Sequence, residues 1–277
     1  MKFIDCFIFY NELDLLEYRL ELLYNYVDLF IIIEANKTFT GKDKPIYFKD
    51  NHQRFAKYLD KIVYIIDESL KADAVHNIKN IYDKTDKQND EVWQNEIHQR
   101  NYIDEGLQKL GTYIKGYDYI IISDVDEIIN PNIIKYFQEN NINIPFLDIQ
   151  QDFYYYNLTC KNSKIWTYAK LITYDHYRHK MNSTPQDCRM SNAANFVQNG
   201  GWHLSYFCSA KLIKNKIENF SHQEFNKPEY TDEKIIEYKI NCKKDLFLRE
   251  SETWTYIPIE KNENLPPLYN IYLKNYI

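Results

Sequence analysis

Residues 120–129 read Ile-Ile-Ile-Ser-Asp-Val-Asp-Glu-Ile-Ile, a β-branched apolar run that stops at two aspartates spaced one apart. Alternation along an extended chain sends Asp124 and Asp126 to one side and turns Val125 back toward the interior. Paired carboxylates at the carboxyl end of a buried strand lie where an open α/β sheet binds its ligand. Hard oxygen ligands converging there suit Mg2+ or Mn2+, which in turn can hold a diphosphate. The plainer expectation for Asp-Val-Asp-Glu is a solvated turn after a strand.

The pattern on the N-terminal side repeats that theme. Lys2 to Tyr10, Leu29 to Ala35 and Ile62 to Ile66 read as buried strands, and Tyr119 to Ser123 as a fourth. Apolar positions recur at helical spacing from Leu13 to Tyr26, Gln53 to Leu59 reads as a helix, and Glu91 to Leu110 as one long amphipathic helix feeding the aspartate strand. Asp67 to Asp90 is polar and aperiodic and reads as a mobile surface segment. Strands alternating with helices over about 130 residues imply a mostly parallel sheet with helices on both faces.

Beyond Pro131 the character changes. Strand-like aromatic stretches occupy Phe146 to Leu158 and Ile165 to Tyr174, and Asp175 to Gln198 reads as a long polar loop. Two of only six glycines stand together as Gly200-Gly201, which implies a tight turn or a close backbone approach. Helices are expected over Ser209 to Ile217 and Asp232 to Tyr238. No repeat or linker interrupts the 277 residues, so the expectation is a single domain over 1–277 with a nucleotide-binding half (1–130) and an acceptor half (131–277).

Composition excludes several classes. A net charge of −6 with no basic block argues against a nucleic-acid partner, which needs clustered Lys and Arg. No run approaches the roughly 18–20 apolar residues of a transmembrane segment. Asp5 comes too early for a secretory signal, and five cysteines without CxxC spacing fit neither a disulfide framework nor a zinc site. These features favour a cytoplasmic protein.

Several blocks in order resemble glycosyltransferase family 17. They are Phe9-Tyr10-Asn11-Glu12 with Leu16 and Arg19; Glu34 to Gly41; Glu96 with Gln99-Arg100-Asn101; Ser123 to Glu127; Gly200 to Phe207; and Phe220-Ser221-His222-Gln223-Glu224. The resemblance spans roughly residues 3–225 and implies a GT-A-type, Rossmann-like fold and a metal-dependent inverting transfer. The implied donor is a UDP-sugar, N-acetylglucosamine in particular, and the implied acceptor a glycan. A non-catalytic carbohydrate-binding protein is the alternative from another class.

Chemistry then assigns expected roles. Asp126 is the direct ligand of Mn2+ or Mg2+, Asp124 contacts the metal through water or the donor ribose, and His222 completes the metal site. Glu34 ends the second strand and would accept hydrogen bonds from the donor's ribose or base. Arg100 is one of only six arginines, and its planar fork suits a phosphate or a carboxylate. Trp202 and His203 follow the glycine pair and would face the donor sugar. An inverting transfer needs a base for the acceptor hydroxyl, and Glu224 and Asp152 are both candidates.

Overall fold

The structure, a computed structural model, describes residues 1–80 and 83–277. Four strands form its N-terminal half: β1 (Phe3–Phe9), β2 (Leu29–Ala35), β3 (Ile62–Asp67) and β4 (Tyr119–Asp124). They lie parallel in the order β3-β2-β1-β4. All seven residues of β1 are buried. That follows from helices covering both faces, which is why such strands read as unbroken apolar runs.

The sheet continues into the second half. Strand β5 (Glu127–Ile129) leaves the aspartate turn, followed by β6 (Phe146–Tyr155), β7 (Asn157–Trp166), β8 (Lys170–Thr173), β9 (Asn195–Ser205) and β10 (Trp254–Tyr256). The main order is β10-β7-β6-β8-β4-β1-β2-β3. In this half, β4–β8, β8–β6, β6–β7 and β7–β10 pair antiparallel, while β9 runs parallel to β6 and antiparallel to β5. One mixed sheet therefore runs through both halves as a single α/β domain, as the GT-A-type expectation required. No helix among the described residues is long and apolar enough to cross a membrane.

Four helices matter for the cleft. Helix α1 (Leu13–Leu23) follows β1 and packs its buried Leu16, Leu20 and Leu23 into the core. Helix α2 (Glu91–Asn101) is capped by Asp90, whose carboxylate accepts from the Val92 and Trp93 N–H groups. Helix α3 (Pro185–Met190) opens on a capping box between Thr184 and Asp187, and α4 (Ala210–Asn219) is capped by Ser209.

Three expectations change. The helix read over Glu91 to Leu110 ends at Asn101, and a second helix begins at Ile103. The bend lies at Tyr102, whose N–H is shared between the His98 and Gln99 carbonyls. The stretch read as a loop from Asp175 to Gln198 contains a π-helical turn at His176–Met181, helix α3 and the start of β9. The polar Asp67–Asp90 segment is tied down by backbone N–H bonds from Lys71 to Asn95, Val75 to Glu91 and Asn77 to Asp90. Residues 81 and 82 of that segment lie outside the described residues.

The paired glycines behave as expected. Gly201 has φ +149°, and a Cβ there would come within 2.0 Å of the Ile128 carbonyl oxygen. Only glycine lets β9 approach the strand leaving the aspartate turn this closely.

Candidate active site

Asp124 and Asp126 lie at the floor of a cleft of about 650 Å³, at the carboxyl ends of the parallel strands. Between them, Val125 is buried in the core, as alternation requires. The backbone of the turn is held from beneath by Arg19, a fully buried residue of α1. Its Nη1 donates to the carbonyl oxygens of Asp124 (2.7 Å), Val125 (3.2 Å) and Glu127 (3.0 Å). Its Nη2 reaches Ser123 Oγ, while Nε and Nη2 grip the buried Asp5 carboxylate at 2.8 and 2.5 Å. This pairing explains an acid in the middle of the all-buried strand β1.

The side chains above the turn are held by two further arginines. Arg100 on α2 donates to Asp124 Oδ1 at 3.1 Å, and to Glu96 one turn back at 3.0 Å. Arg189 on α3 makes a two-pronged contact with Glu127, both bonds 2.5 Å, and reaches Asp124 Oδ2 at 3.0 Å. Glu127 also accepts the Trp166 indole N–H at 2.6 Å and the Asp124 backbone N–H at 3.0 Å. Burial alone would push the Asp124 carboxyl up; Arg100 and Arg189 outweigh it and hold it below the usual carboxylate range.

Asp126 is held differently. Beside it lie Lys216 Nζ on α4, at 3.5 Å, and His203 Nε2 on β9, at 3.7 Å. Lys216 in turn makes a 3.0 Å pair with Glu12, at the end of the loop after β1. Burial again opposes ionisation, and Lys216 and then His203 reverse it, so the Asp126 carboxyl lies well below its ordinary range. His203 stacks on Phe153 and tilts against Trp166, which fixes its ring beside the aspartate.

Leaving histidines aside, two groups of ion pairs meet at the turn, Glu96–Arg100–Asp124–Arg189–Glu127 and Glu12–Lys216–Asp126, each with one more carboxylate than cation. Together the two groups carry a formal excess of two negative charges. No three His, Cys, Asp or Glu side chains among the described residues form a metal cage on their own. Two carboxylates fit a Mg2+- or Mn2+-type ion that completes its shell with phosphate oxygens and water.

The expected site residues divide. Asp124, Asp126, Arg100, His203 and His222 all line the cleft. Glu34 does not. It is fully buried and bonded to Lys44 Nζ, the Tyr47 and Phe48 backbone N–H groups and the Tyr64 hydroxyl, so it secures the chain after the β2 loop. Trp202 also points away: neighbours on a strand face opposite sides, and its indole N–H bonds to the Asn264 carbonyl beside a separate, smaller cavity. Asp152 is its register partner on β6, lines that same small cavity and pairs with Lys161 at 2.8 Å. It is therefore no base for chemistry in the main cleft.

His222 and Glu224, expected as a metal ligand and a candidate base, pair with each other. His222 does not converge with the aspartates into a metal-binding group. Its ring packs edge-on against Trp93, and its Nδ1 lies 2.7 Å from Glu224 Oε1. Burial pushes the Glu224 carboxyl up, but the hydrogen bond and charge of His222, with further help from the Glu224 backbone and His76, together hold it below its ordinary range. Glu12, Arg19, Trp166, Arg189 and Lys216 carry no expected role in the sequence, yet each bonds directly to the aspartate turn or to a charged partner of it.

A mixed α/β domain with a clamped Asp-x-Asp turn at the ends of its parallel strands has the architecture of a GT-A-like sugar-transferring enzyme. The sequence profile of Glycosyltransferase family 17 matches residues 1–270. The chain belongs to that family, and the protein is a glycosyltransferase. No curated protein matches it individually. The family match sets aside the reading as a non-catalytic carbohydrate-binding protein.

Proposed function

We propose that the cleft binds a UDP-sugar together with Mn2+ or Mg2+ and transfers the sugar, N-acetylglucosamine by family resemblance, to a glycan acceptor with inversion. The observation that carries this reading is that each of the two ion-pair groups meeting at Asp124 and Asp126 has one carboxylate more than its cations, together a charge that one divalent cation balances. Asp126 is the direct ligand, because the protein bonds it least, while Asp124 keeps its arginines and faces the cation's water or the donor ribose. A bound cation would neutralise charge building on the departing diphosphate without needing a proton.

The base is His222. Glu224 holds its Nδ1, which orients the ring and stabilises the imidazolium formed when Nε2 takes the acceptor's hydroxyl proton. The hydroxyl oxygen then bonds to the anomeric carbon as the bond from that carbon to the diphosphate breaks, giving a β-linkage from an α-linked donor. A cytoplasmic location is part of this reading and is supported by five free cysteines, three of them buried.

The test is calorimetry of UDP with and without Mn2+. The parent protein should bind UDP in a Mn2+-dependent manner, and Asp126→Ala should lose that binding while keeping its far-UV circular dichroism spectrum. Unchanged Mn2+-dependent UDP binding by the folded variant would refute the assignment.

A further inference from the structure

Asp124 takes arginine hydrogen bonds at 3.0 and 3.1 Å, whereas Asp126 meets Lys216 and His203 at 3.5 and 3.7 Å. Charged N–H···O bonds ordinarily lie near 2.7–2.9 Å. The contact of Lys216 with Asp126 is therefore loose, and its 3.0 Å pair with Glu12 is the tighter anchor. The Lys216 ammonium lies 5.6 Å from the centre of the Tyr206 ring, and its side chain is 25% exposed to the cleft. A lysine ammonium is a compact charge on a flexible stem, so it can swing a few ångströms while its anchor holds.

We infer that Lys216 is a charge gate on the cation site: it covers Asp126 until a diphosphate arrives, so that metal and nucleotide enter together. The inference rests on the reading that the cleft takes both. A bare divalent ion at Asp126 would sit within a few ångströms of the ammonium and be repelled by it. An incoming diphosphate supplies a stronger anionic partner, draws the ammonium onto its oxygens and frees Asp126 for the metal. The same lysine then opposes metal alone and favours metal with nucleotide. Linkage requires that this coupling be equal whichever ligand is titrated first.

The experiment measures free Mn2+ by electron paramagnetic resonance, with and without saturating UDP, and UDP binding by calorimetry with and without Mn2+. Lys216→Met should bind Mn2+ alone about tenfold more tightly and UDP in the presence of Mn2+ about tenfold more weakly, as expected for loss of one adjacent charge. With the affinity for UDP alone unchanged, the Mn2+–UDP coupling should then fall about tenfold. Lys216→Arg, which restores the charge, should return both affinities toward the parent. Glu12→Gln leaves Asp126 as the remaining carboxylate on the lysine and should weaken binding of Mn2+ alone. A folded Lys216→Met that binds Mn2+ alone no more tightly than the parent overturns the gate. If that variant does not fold, equal or tighter Mn2+ binding by Glu12→Gln overturns it instead. A parent protein that binds no UDP with Mn2+ removes the nucleotide reading itself, a failure visible before any variant is made.

Discussion

The two halves of the sheet bring opposite charges to one cleft. The parallel half, with the turn and the first residue of β5 that leave it, contributes all five carboxylates of the two ion-pair groups and one of their cations, Arg100. The mixed, aromatic half contributes Arg189 and Lys216, with His203 and His222 beside them. Neither half is near electrical balance without the other, and both are threaded on one sheet. The comparison teaches that the site is a seam, in which the first half offers ligands and the second sets how tightly each is held. Asp124 is clamped across the seam and Asp126 is left loose across it.

The largest effect expected from breaking the seam is at Arg189. Arg189→Met removes the cation from Glu127, which is 1% exposed and would keep only the Trp166 and Asp124 N–H groups. Removing one partner of a buried ion pair costs about 3–5 kcal/mol. Urea unfolding should show a loss of that size, and Mn2+-dependent UDP binding should fall with it. A variant as stable as the parent would mean that the acids of the first half need no counter-charge from the second.

A purely kinetic effect is expected at His222, which also lines the cleft. His222→Ala should slow transfer by roughly 10²–10⁴-fold, the usual worth of a general base, with UDP binding unchanged. Glu224→Gln keeps a hydrogen-bond acceptor for the ring and should cost less. Equal losses in UDP affinity would instead place His222 among the ligands of the donor.

The smallest effect is a pH signature. Asp126 ionises below its ordinary range in the fold, so its stabilisation is complete above the unfolded value of about 3.9 and disappears as pH falls through the folded one. The stability difference between the parent and Asp126→Asn should stay constant from pH 7 to about 5 and shrink only below about 4. A difference that fades near pH 6 would show that Lys216 and His203 do not hold the charge.

Much of the first half was legible because strands buried on both faces announce themselves as β-branched runs, and Asp124 and Asp126 end one of them. The second half was harder for two physical reasons. Trp202 and His203 are adjacent in sequence but opposite on β9, so only His203 faces the main cleft, and Asp152, the register partner of Trp202, is turned away with it. Arg189 and Lys216 reach the aspartates only through tertiary packing of short helices. A signal for Arg189 did exist: with six arginines in the chain, the scarcity that drew attention to Arg100 applied equally to Arg19 and Arg189. The Thr184–Asp187 capping box likewise marked a helix inside the presumed loop. Lysines number 28, so nothing set Lys216 apart.

Arg19 carries a consequence for motion. Its guanidinium ties β1, α1 and three carbonyls of the aspartate turn into one buried knot. To release the turn, the first helix must come off the first strand, exposing an ion pair and the core beneath it. Enzymes commonly place mobile elements around the active site among their least stable parts. Here the aspartate turn shares the fate of the core.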